Sequence, residues 1–398
     1  MAQTLKFGNG NFATKAGSTL CYDDQNGNFK PIPMDFTRAS TATRVNKQGL
    51  IEVVKSNVPR IDYTDTSDGV LLLEKAATNL ETKSNEFSTW QINSNITRTA
   101  NYIVSPDGTL NGTRLQFTAN GFSSNTPQIL ATYTMSCYAK RNDSGTQNVG
   151  FFTNGSGVVN SAWEITTEWK RFSYTFPALN GSYMGIAGVS GADISVYGFQ
   201  IEGLSSYASS YIPTQGSAVT RVAETASGAG NSEVFNDSEG VLFADILPST
   251  FTDVAPNYYK TITVSDNTTS NRVFVGVTST SKLSIGLAIG GTNSFFPETP
   301  IAEINVKVAL KYTTNSITAY LNGFKPQTPI SGSFNFASGA LKSLNLNDAA
   351  GGYPFYGKTK ELGYYDTALT DLELETLTSY RSWESMVNEL NLNIIYNG

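Results

Sequence analysis

The sequence lacks histidine entirely, although it is 398 residues long. Without an imidazole there is no Ser-His-Asp or Cys-His catalytic group, no histidine-ligated zinc and no histidine acid–base catalyst. Most classes of hydrolase and metalloenzyme are therefore excluded. Two kinds of chemistry stay open, which are catalysis by a pair of carboxylates, as in glycosidases, and calcium binding through oxygen ligands.

Cysteine and charge are also scarce. Cys21 and Cys137 are far apart in the chain, and we expect two free thiols rather than a disulfide. Charged residues make up 15% of the chain, against about 25% in ordinary soluble domains. The net charge is −6 and no Lys/Arg cluster stands out, so we expect no nucleic-acid binding.

Long apolar runs are missing as well. No segment approaches 18 consecutive apolar residues, and residues 1–6 lack the apolar core of a signal peptide. We therefore expect that the protein does not insert into a membrane and that it is synthesised in the cytosol. What the chain does contain is 20 Tyr, 22 Phe and 35 Gly, together with many Asn, Ser and Thr. This composition is typical of many short strands separated by polar turns, and it predicts an all-β protein.

Period-2 alternation and turn signals divide the chain into modules. Residues 1–85 are turn-rich and irregular, with apolar runs at 50–54 and 70–73. In residues 86–225, apolar and polar residues alternate in short runs, and the spacing of these runs is that expected of the strands of an antiparallel jelly roll. The small polar segment 226–232 is a predicted linker, and 234–380 form a second strand-rich module followed by the tail 381–398.

Two local signals are specific. Asn322-Gly323 predicts a hairpin turn, because both positions tolerate a positive φ. Thr370 and Glu373 are spaced like a capping box and predict the start of a helix. We expect the tail to extend this helix and to end in a short strand at 394–396.

Ordered blocks of the sequence resemble structural proteins of tailed bacteriophages, above all head- or tail-fibre proteins of crAss-like and other Bacteroidetes phages. The blocks are 36–45, 49–53, 59–63, 71–74, 77–80, 200–203, 210–214, 219–221, 319–323 and 365–373. The resemblance implies a carbohydrate-binding-module-like jelly roll over 86–225 and a concanavalin-A-like (laminin-G-like) sandwich over 234–380. It also implies a virion component, and we expect the turn-rich residues 1–85 to be the region that docks to the virion.

Aromatic rings are the candidate glycan-binding groups, because a ring face matches the apolar face of a pyranose. The candidates are Trp90, Tyr102, Trp163 and Tyr183. For each of them core packing is the alternative, and Trp163, which lies in a Gly-rich region, has the least core-like surroundings.

Neither catalytic nor metal-binding residues are assigned, and no cofactor is expected. Possible carboxylates for a glycosidase pair occur in no recognisable motif, and solvated surface acids are the alternative: Glu81, Glu86, Glu361 and Asp366. Four aspartates in or near predicted loops could supply oxygen ligands to calcium: Asp245, Asp253, Asp266 and Asp348. They do not form the pattern of an EF-hand.

These observations favour a non-enzymatic virion protein, a fibre or spike subunit located in the phage particle. Its expected partners are other capsid or tail proteins and a bacterial surface glycan, and we expect a homotrimer that hides exposed sheet edges. The alternatives are a capsular-polysaccharide depolymerase that uses two carboxylates and a purely architectural subunit of the capsid or tail.

Overall fold

A computed structural model describes residues 3–92, 95–125, 132–143, 149–153, 157–159, 163–177, 183–248, 259–301, 305–389 and 392. About 50% of the chain is strand and about 6% is helix. The antiparallel all-β fold predicted from composition and alternation is therefore confirmed.

The strands are short and follow one another closely along the chain. The first half contains β1 (Leu5–Gly8), β2 (Thr14–Lys15), β3 (Ser18–Asp23), β4 (Lys30–Thr37), β5 (Ala42–Val45), β6 (Ile51–Val54), β7 (Arg60–Asp62), β8 (Val70–Leu73), β9 (Ala77–Asn79), β10 (Gln91–Ile92), β11 (Ile96–Val104), β12 (Leu110–Phe117), β13 (Gly121–Asn125), β14 (Tyr133–Arg141), β15 (Val149–Thr153), β16 (Gly157–Val159), β17 (Lys170–Phe176), β18 (Met184–Gly188) and β19 (Asp193–Gly203). The second half contains β20 (Val219–Arg221), β21 (Thr225–Ser227), β22 (Gly240–Pro248), β23 (Tyr259–Ser265), β24 (Arg272–Thr278), β25 (Lys282–Ile289), β26 (Thr292–Phe295), β27 (Thr299–Pro300), β28 (Val306–Tyr312), β29 (Ser316–Leu321), β30 (Ile330–Ser331), β31 (Ser343–Asn345) and β32 (Gly357–Tyr365).

The chain forms two compact units that are interleaved in sequence. Unit 1 comprises residues 1–39, 56–75 and 223–398, and unit 2 comprises 40–55 and 76–222. This division differs from the expected separate region over 1–85, because most of that region belongs to the same unit as the C-terminal module.

Unit 1 is a sandwich of two sheets around one core. Its twelve-stranded sheet has the central order β21-β4-β3-β1-β32-β22-β28-β29-β30, and its six-stranded sheet has the order β26-β25-β24-β23-β31. Alternating residues of both sheets meet in one apolar cluster, for example Leu242 and Val308 from the first and Val275 from the second. The apolar run 70–73 is buried here, because β8 pairs with β7 and β32.

Unit 2 is a second sandwich. It contains a seven-stranded sheet with the central order β11-β12-β19-β14-β17 and a five-stranded sheet with the order β10-β13-β18-β15-β16. Phe199 of β19 and Phe151 of β15 meet in its core at 6.0 Å between ring centroids. The run 50–54 largely coincides with β6, which pairs with β5 in a separate hairpin. The run 70–73 is thus buried within the chain, whereas in the run 50–54 Ile51 and Val54 are buried and Leu50 and Val53 are exposed.

The predicted linker at 226–232 is wrong. The Thr225–Ser227 strand pairs with β4, and the backbone N–H and C=O of Ala229 bond to Leu344 at 3.1 and 2.7 Å. Ala226 and Ala229 are fully or almost fully buried. Small side chains here permit close packing of the backbone rather than exposure to solvent.

The local signals near the C-terminus are confirmed, except for the length of the helix. Asn322 and Gly323 have φ of 48° and 85° and form the predicted tight turn. Helix α1 (Asp371–Thr378) begins with the full capping box of Thr370 and Glu373. The tail does not extend α1, because a second helix, α2 (Trp383–Glu389), begins anew, and residues 394–396 lie outside the described residues. Neither helix in the described ranges is long and apolar enough to cross a membrane.

Several of the phage-like sequence blocks meet in one buried ion-pair cluster of unit 1. Glu224 Oε1 accepts hydrogen bonds from Arg38 Nη1 at 2.6 Å and from Arg60 Nε at 2.9 Å. Arg60 also pairs with Glu74 at 2.9 Å, and all four side chains are fully or nearly fully buried. These blocks therefore specify the interior of the fold rather than a surface site.

Candidate functional site

The outer face of the six-stranded sheet carries a cavity with charged and aromatic walls. On β24, Val273, Val275 and Val277 point into the core. Because side chains alternate along a strand, Arg272, Phe274 and Gly276 lie on the opposite face.

This cavity has a volume of about 240 Å³. Its floor comes from the middle strands of the sheet, and its rim comes from β26 and the loop that precedes β32. The lining residues are Thr261, Arg272, Phe274, Gly276, Ser284, Asn293, Phe295, Glu298 and Tyr353. We call it the Arg272 pocket.

The Arg272 guanidinium is only partly satisfied by the protein. Its Nη1 donates to the backbone oxygen of Asp348 at 3.1 Å, and its Cζ lies 5.0 Å from the centre of the Phe274 ring. Its Nε is buried and has no hydrogen-bond acceptor among the described residues. Burial lowers the pKa of Arg272, and the nearby Asp348 only partly offsets this fall. The group therefore carries a charge that its surroundings do not fully compensate.

Two aromatic residues stand at the rim of the Arg272 pocket. Phe295 is 55% exposed and Tyr353 is 42% exposed. Tyr353 has a φ of 46°, in the left-handed region that non-glycine residues rarely occupy. Asp348 fixes the loop before it, since its Oδ1 accepts hydrogen bonds from the backbone of Ala350 at 3.0 Å and Gly352 at 2.8 Å. A strained backbone held in this way keeps the Tyr353 ring at the rim.

The remaining polar groups of the pocket differ in charge. Glu298 forms an ion pair with Lys282 at 3.4 Å, so its negative charge has a partner. Asn293 is exposed beside Phe295 on the same short strand. An amide, an ion pair and a cation around exposed rings are groups that bind a polar ligand with an apolar face.

Gly276 forms part of the pocket floor and leaves room there. A Cβ at this position would meet only ordinary contacts, at 3.6 Å to the backbone oxygens of Lys260 and Ser284. Its neighbours across the sheet, Thr261 and Ser284, also line the cavity. The absence of a side chain therefore contributes directly to the volume of the pocket.

Two of the aromatic candidates named from the sequence are core residues. Trp90 is 3% exposed, with its ring 4.9 Å from Phe199, and Trp163 is 4% exposed and stacks on Phe172 at 4.7 Å. In this structure they present no free ring face, and the packing alternative describes both. The Gly-rich sequence around Trp163 does not indicate this burial, because a residue outside the regular strands can also place its side chain in the core.

The other two aromatic candidates are partly exposed and are not among the residues that line the Arg272 pocket. Tyr102 of β11 is 40% exposed, and the Arg114 guanidinium lies 4.7 Å from its ring centre. Tyr183 is half-buried just before β18. Both belong to unit 2. Glycan binding by these two residues stays a prediction.

Of the carboxylates considered from the sequence, Glu361 has the most perturbed surroundings. It lies opposite Asp245 on the neighbouring strand β22. Burial raises the pKa of Glu361, and the neighbouring Asp245 carboxylate raises it further. Lys307 and Lys360 each place a nitrogen 4.0 Å from Asp245 Oδ2. Of the other three candidates, Glu81 is fully buried, Glu86 is exposed and Asp366 is half-buried.

The possible calcium ligands serve other roles where they are described. Asp266 accepts hydrogen bonds from Thr268 and Asn271 in its own turn, and Asp348 fixes the loop before Tyr353. Within the described ranges no three acidic or thiol side chains come together as a metal site would require. Asp253 lies outside those ranges.

Sequence reasoning missed the Arg272 pocket altogether. Its wall residues come from four strands and two loops, and no local motif joins them. The available signal was Arg272 at the start of an alternating strand, with Phe274 and Gly276 following on one face. A charged residue and a glycine on the same face of a strand indicate a surface with room for a ligand.

No known family matches this chain, and no curated protein matches it. Among solved structures, the CBM40 module of a Ruminococcus gnavus IT-sialidase is 17% identical over 38% of this chain and 94% of that one, with a TM-score of 0.32. A CBM22 tandem domain from Paenibacillus barcinonensis is 10% identical over 76% of this chain and 95% of that one, with a TM-score of 0.27. A pentraxin from Limulus polyphemus is 16% identical over 37% of this chain and 72% of that one, with a TM-score of 0.28. All three scores lie below 0.5, so we base no functional argument on them.

Proposed function

We propose that this protein is a non-enzymatic glycan-binding subunit of a tailed-phage virion, and that the Arg272 pocket is its binding site. The observation that carries the proposal is the combination of exposed rings and incompletely bonded polar groups in one cavity. Phe295 and Tyr353 offer apolar faces, while Arg272 and Asn293 offer hydrogen-bond donors at the same place.

A sugar matches this combination of groups. A pyranose has C–H bonds on its faces and hydroxyl groups around its edge, so it needs an aromatic ring together with donors and acceptors that point inward. The cavity of about 240 Å³ is open enough for one or two sugar residues of a longer chain. The many neutral hydroxyls and amides of the surface suit a protein that works outside a cell.

The virion setting rests on the ordered sequence blocks that resemble phage fibre proteins. These blocks form buried parts of the fold, such as the cluster of Arg38, Arg60 and Glu224. The resemblance of these buried residues to phage fibre proteins supports an architecture shared with those proteins. The glycan-binding function is inferred separately, from the exposed Arg272 pocket. Display on a phage head or tail would place such a pocket against the polysaccharide of a bacterial surface.

Binding to a glycan array tests the proposal. The array carries neutral and acidic bacterial surface oligosaccharides, and the variant is Gly276→Val, which fills the pocket floor with a residue that suits a strand. Thr97→Val, at an exposed strand position in unit 2, is the matched control. We expect wild type and control to bind the same glycans and the folded Gly276→Val protein to lose them. Absence of any glycan binding, or binding that Gly276→Val leaves unchanged, contradicts the proposal.

A depolymerase is the second candidate, because Glu361 and Asp245 are adjacent carboxylates and Glu361 has a raised pKa. Glycosidases use such a pair with one acid protonated. Against this role, Asp245 is 4% exposed and has two lysines near it. These contacts suit a structural charge cluster, so we rank binding above catalysis.

The trimer stays part of the proposal. Strand β11 is at the edge of its sheet, and Tyr102 and Val104 on it are 40% and 52% exposed. An edge strand with exposed apolar residues is a site for pairing with another copy of the chain. Sedimentation equilibrium of the full chain is expected to give a trimer, and a monomer at micromolar concentration would contradict this.

A further inference from the structure

We propose that the ligand of the Arg272 pocket is an acidic saccharide whose carboxylate binds the Arg272 guanidinium. This inference rests on the proposed glycan-binding function and adds the chemical class of the sugar. Uronic and sialic acids both supply such a carboxylate on a ring with apolar C–H faces.

The first observation is the missing partner of Arg272. Its guanidinium has five N–H donors, and the hydrogen bond described for it is the one from Nη1 to the Asp348 carbonyl. No carboxylate lies within ion-pair distance of Arg272 among the residues that the structure describes. By contrast, the fully buried Arg38 and Arg60 are both ion-paired, each with Glu224. Arg272 is thus a half-buried cation with no ion-pair partner among the described residues, and the nearby Asp348 carboxylate compensates its charge only in part.

The second observation is the charge of the other residues around the pocket. Glu298 is paired with Lys282 at 3.4 Å, so these two charges cancel locally. The remaining lining residues are uncharged, which leaves Arg272 as the net charge of the described pocket wall. An anionic ligand would complete the compensation that the nearby Asp348 provides only in part, whereas a neutral sugar would not.

The third observation is how the guanidinium is held. The Phe274 ring lies 5.0 Å from Cζ, and the Asp348 carbonyl accepts from Nη1, so the group is positioned before any ligand arrives. Arginine binds a carboxylate with two parallel hydrogen bonds, and an arginine fixed in advance loses less freedom on binding. The rings of Phe295 and Tyr353 at the rim then contact the sugar that carries the carboxylate.

The test compares oligosaccharides that carry glucuronate, galacturonate or N-acetylneuraminate with the same oligosaccharides after reduction of the carboxyl to an alcohol. Affinities are measured by isothermal titration calorimetry for wild type, Arg272→Gln, Arg272→Lys and Gly276→Val. Lys47→Gln, which removes one exposed positive charge in unit 2, is the control. Thermal unfolding verifies that each variant is folded.

We expect wild type to bind at least one acidic oligosaccharide about 10- to 100-fold more tightly than its reduced form, as charged hydrogen bonds predict. Arg272→Gln should abolish this difference, Arg272→Lys should retain part of it, and Lys47→Gln should leave it unchanged. The affinity for the acidic probe should also fall as salt increases, whereas the affinity for the reduced probe should not.

The outcomes separate this inference from the proposed function. If the acidic and reduced forms bind equally and only Gly276→Val abolishes binding, the acidic ligand is disproved and the glycan site stands. If Arg272→Gln binds the acidic probe as wild type does, the role of Arg272 is disproved. If no glycan binds at all, both the inference and the proposed function fall.

Discussion

Arg60 binds both carboxylate oxygens of Glu224, with Nε donating to Oε1 at 2.9 Å and Nη2 donating to Oε2, although the two residues are 164 positions apart in the chain. Both side chains are fully buried. The pair joins the segment around β7 to the segment that enters β21, so it holds together parts of unit 1 that unit 2 separates in sequence.

Glu224→Gln should destabilise the protein strongly. The Gln amide would turn an N–H₂ group toward donors that now bond to the carboxylate, including Glu74 N at 2.9 Å, and two buried arginines would lose their shared anion. Breaking a buried ion pair typically costs about 3–5 kcal/mol. Urea unfolding followed by circular dichroism measures the change. Exposed Glu233→Gln is the control, and an equal effect of both variants would contradict the assigned role.

Limited proteolysis should spare residues 224–230. Ala226 and Ala229 are buried, and their backbone groups bond to β4 and to Leu344. Proteases need exposed chain that opens locally, and a paired strand seldom does so. Elastase digestion with mass spectrometry should show earlier cuts in exposed loops such as 215–218. Early release of a fragment that starts near 230 would refute this part of the fold.

Glu361→Gln should stabilise the protein increasingly as the pH rises. Because the pKa of Glu361 is raised on folding, the native state holds its proton more tightly than the unfolded state. In the wild type, the stability that this group contributes is therefore fully present below about pH 4.5, the pKa of Glu361 in the unfolded state. It is lost as the pH rises from there through the higher pKa of the folded state. Gln has no such dependence. Melting temperatures from pH 4 to 8 test this, with exposed Glu375→Gln as the control, and a constant difference between wild type and Glu361→Gln would contradict it.

The purified protein should release no reducing ends from host capsule. Histidine is absent, and Lys307 and Lys360 each place a nitrogen 4.0 Å from the Asp245 carboxylate, as in a structural charge cluster. A reducing-sugar assay over a day gives the answer. Release that disappears in Glu361→Gln while glycan binding persists would establish the depolymerase instead.

Trp163→Ala should cost about 3–5 kcal/mol of stability, as loss of a large buried side chain does. The ring stacks on Phe172 and meets Phe151 at 4.9 Å, so a cavity would remain. Tyr102→Ala, at an exposed position, should cost less than 1 kcal/mol. Chemical denaturation compares the two. A stable Trp163→Ala protein with weakened glycan binding would restore Trp163 as a ligand-binding residue.

Local sequence signals predicted local structure well. The alternation on β24 and the capping box of Thr370 and Glu373 depend on neighbours within a few residues, and the structure has both. Pairing across the chain was not predictable in this way. Strand β1 could have paired with any of several sheet edges, and nothing in the sequence of residues 5–8 indicates that its partner is β32. The Arg272 pocket was missed for the same reason, since its walls come from separate strands and loops.

The pairing of β1 with β32 also sets an order of events during synthesis. Leu5 lies opposite Tyr364, so the first strand leaves the ribosome about 360 residues before its neighbour exists. At 5–20 residues per second, this delay is roughly 20–70 s. Unit 2, encoded within 40–222, can complete its own core during that interval. The apolar strands of the first 39 residues meanwhile need protection from other nascent chains, and a chaperone that holds extended segments would meet this protein before its final fold exists.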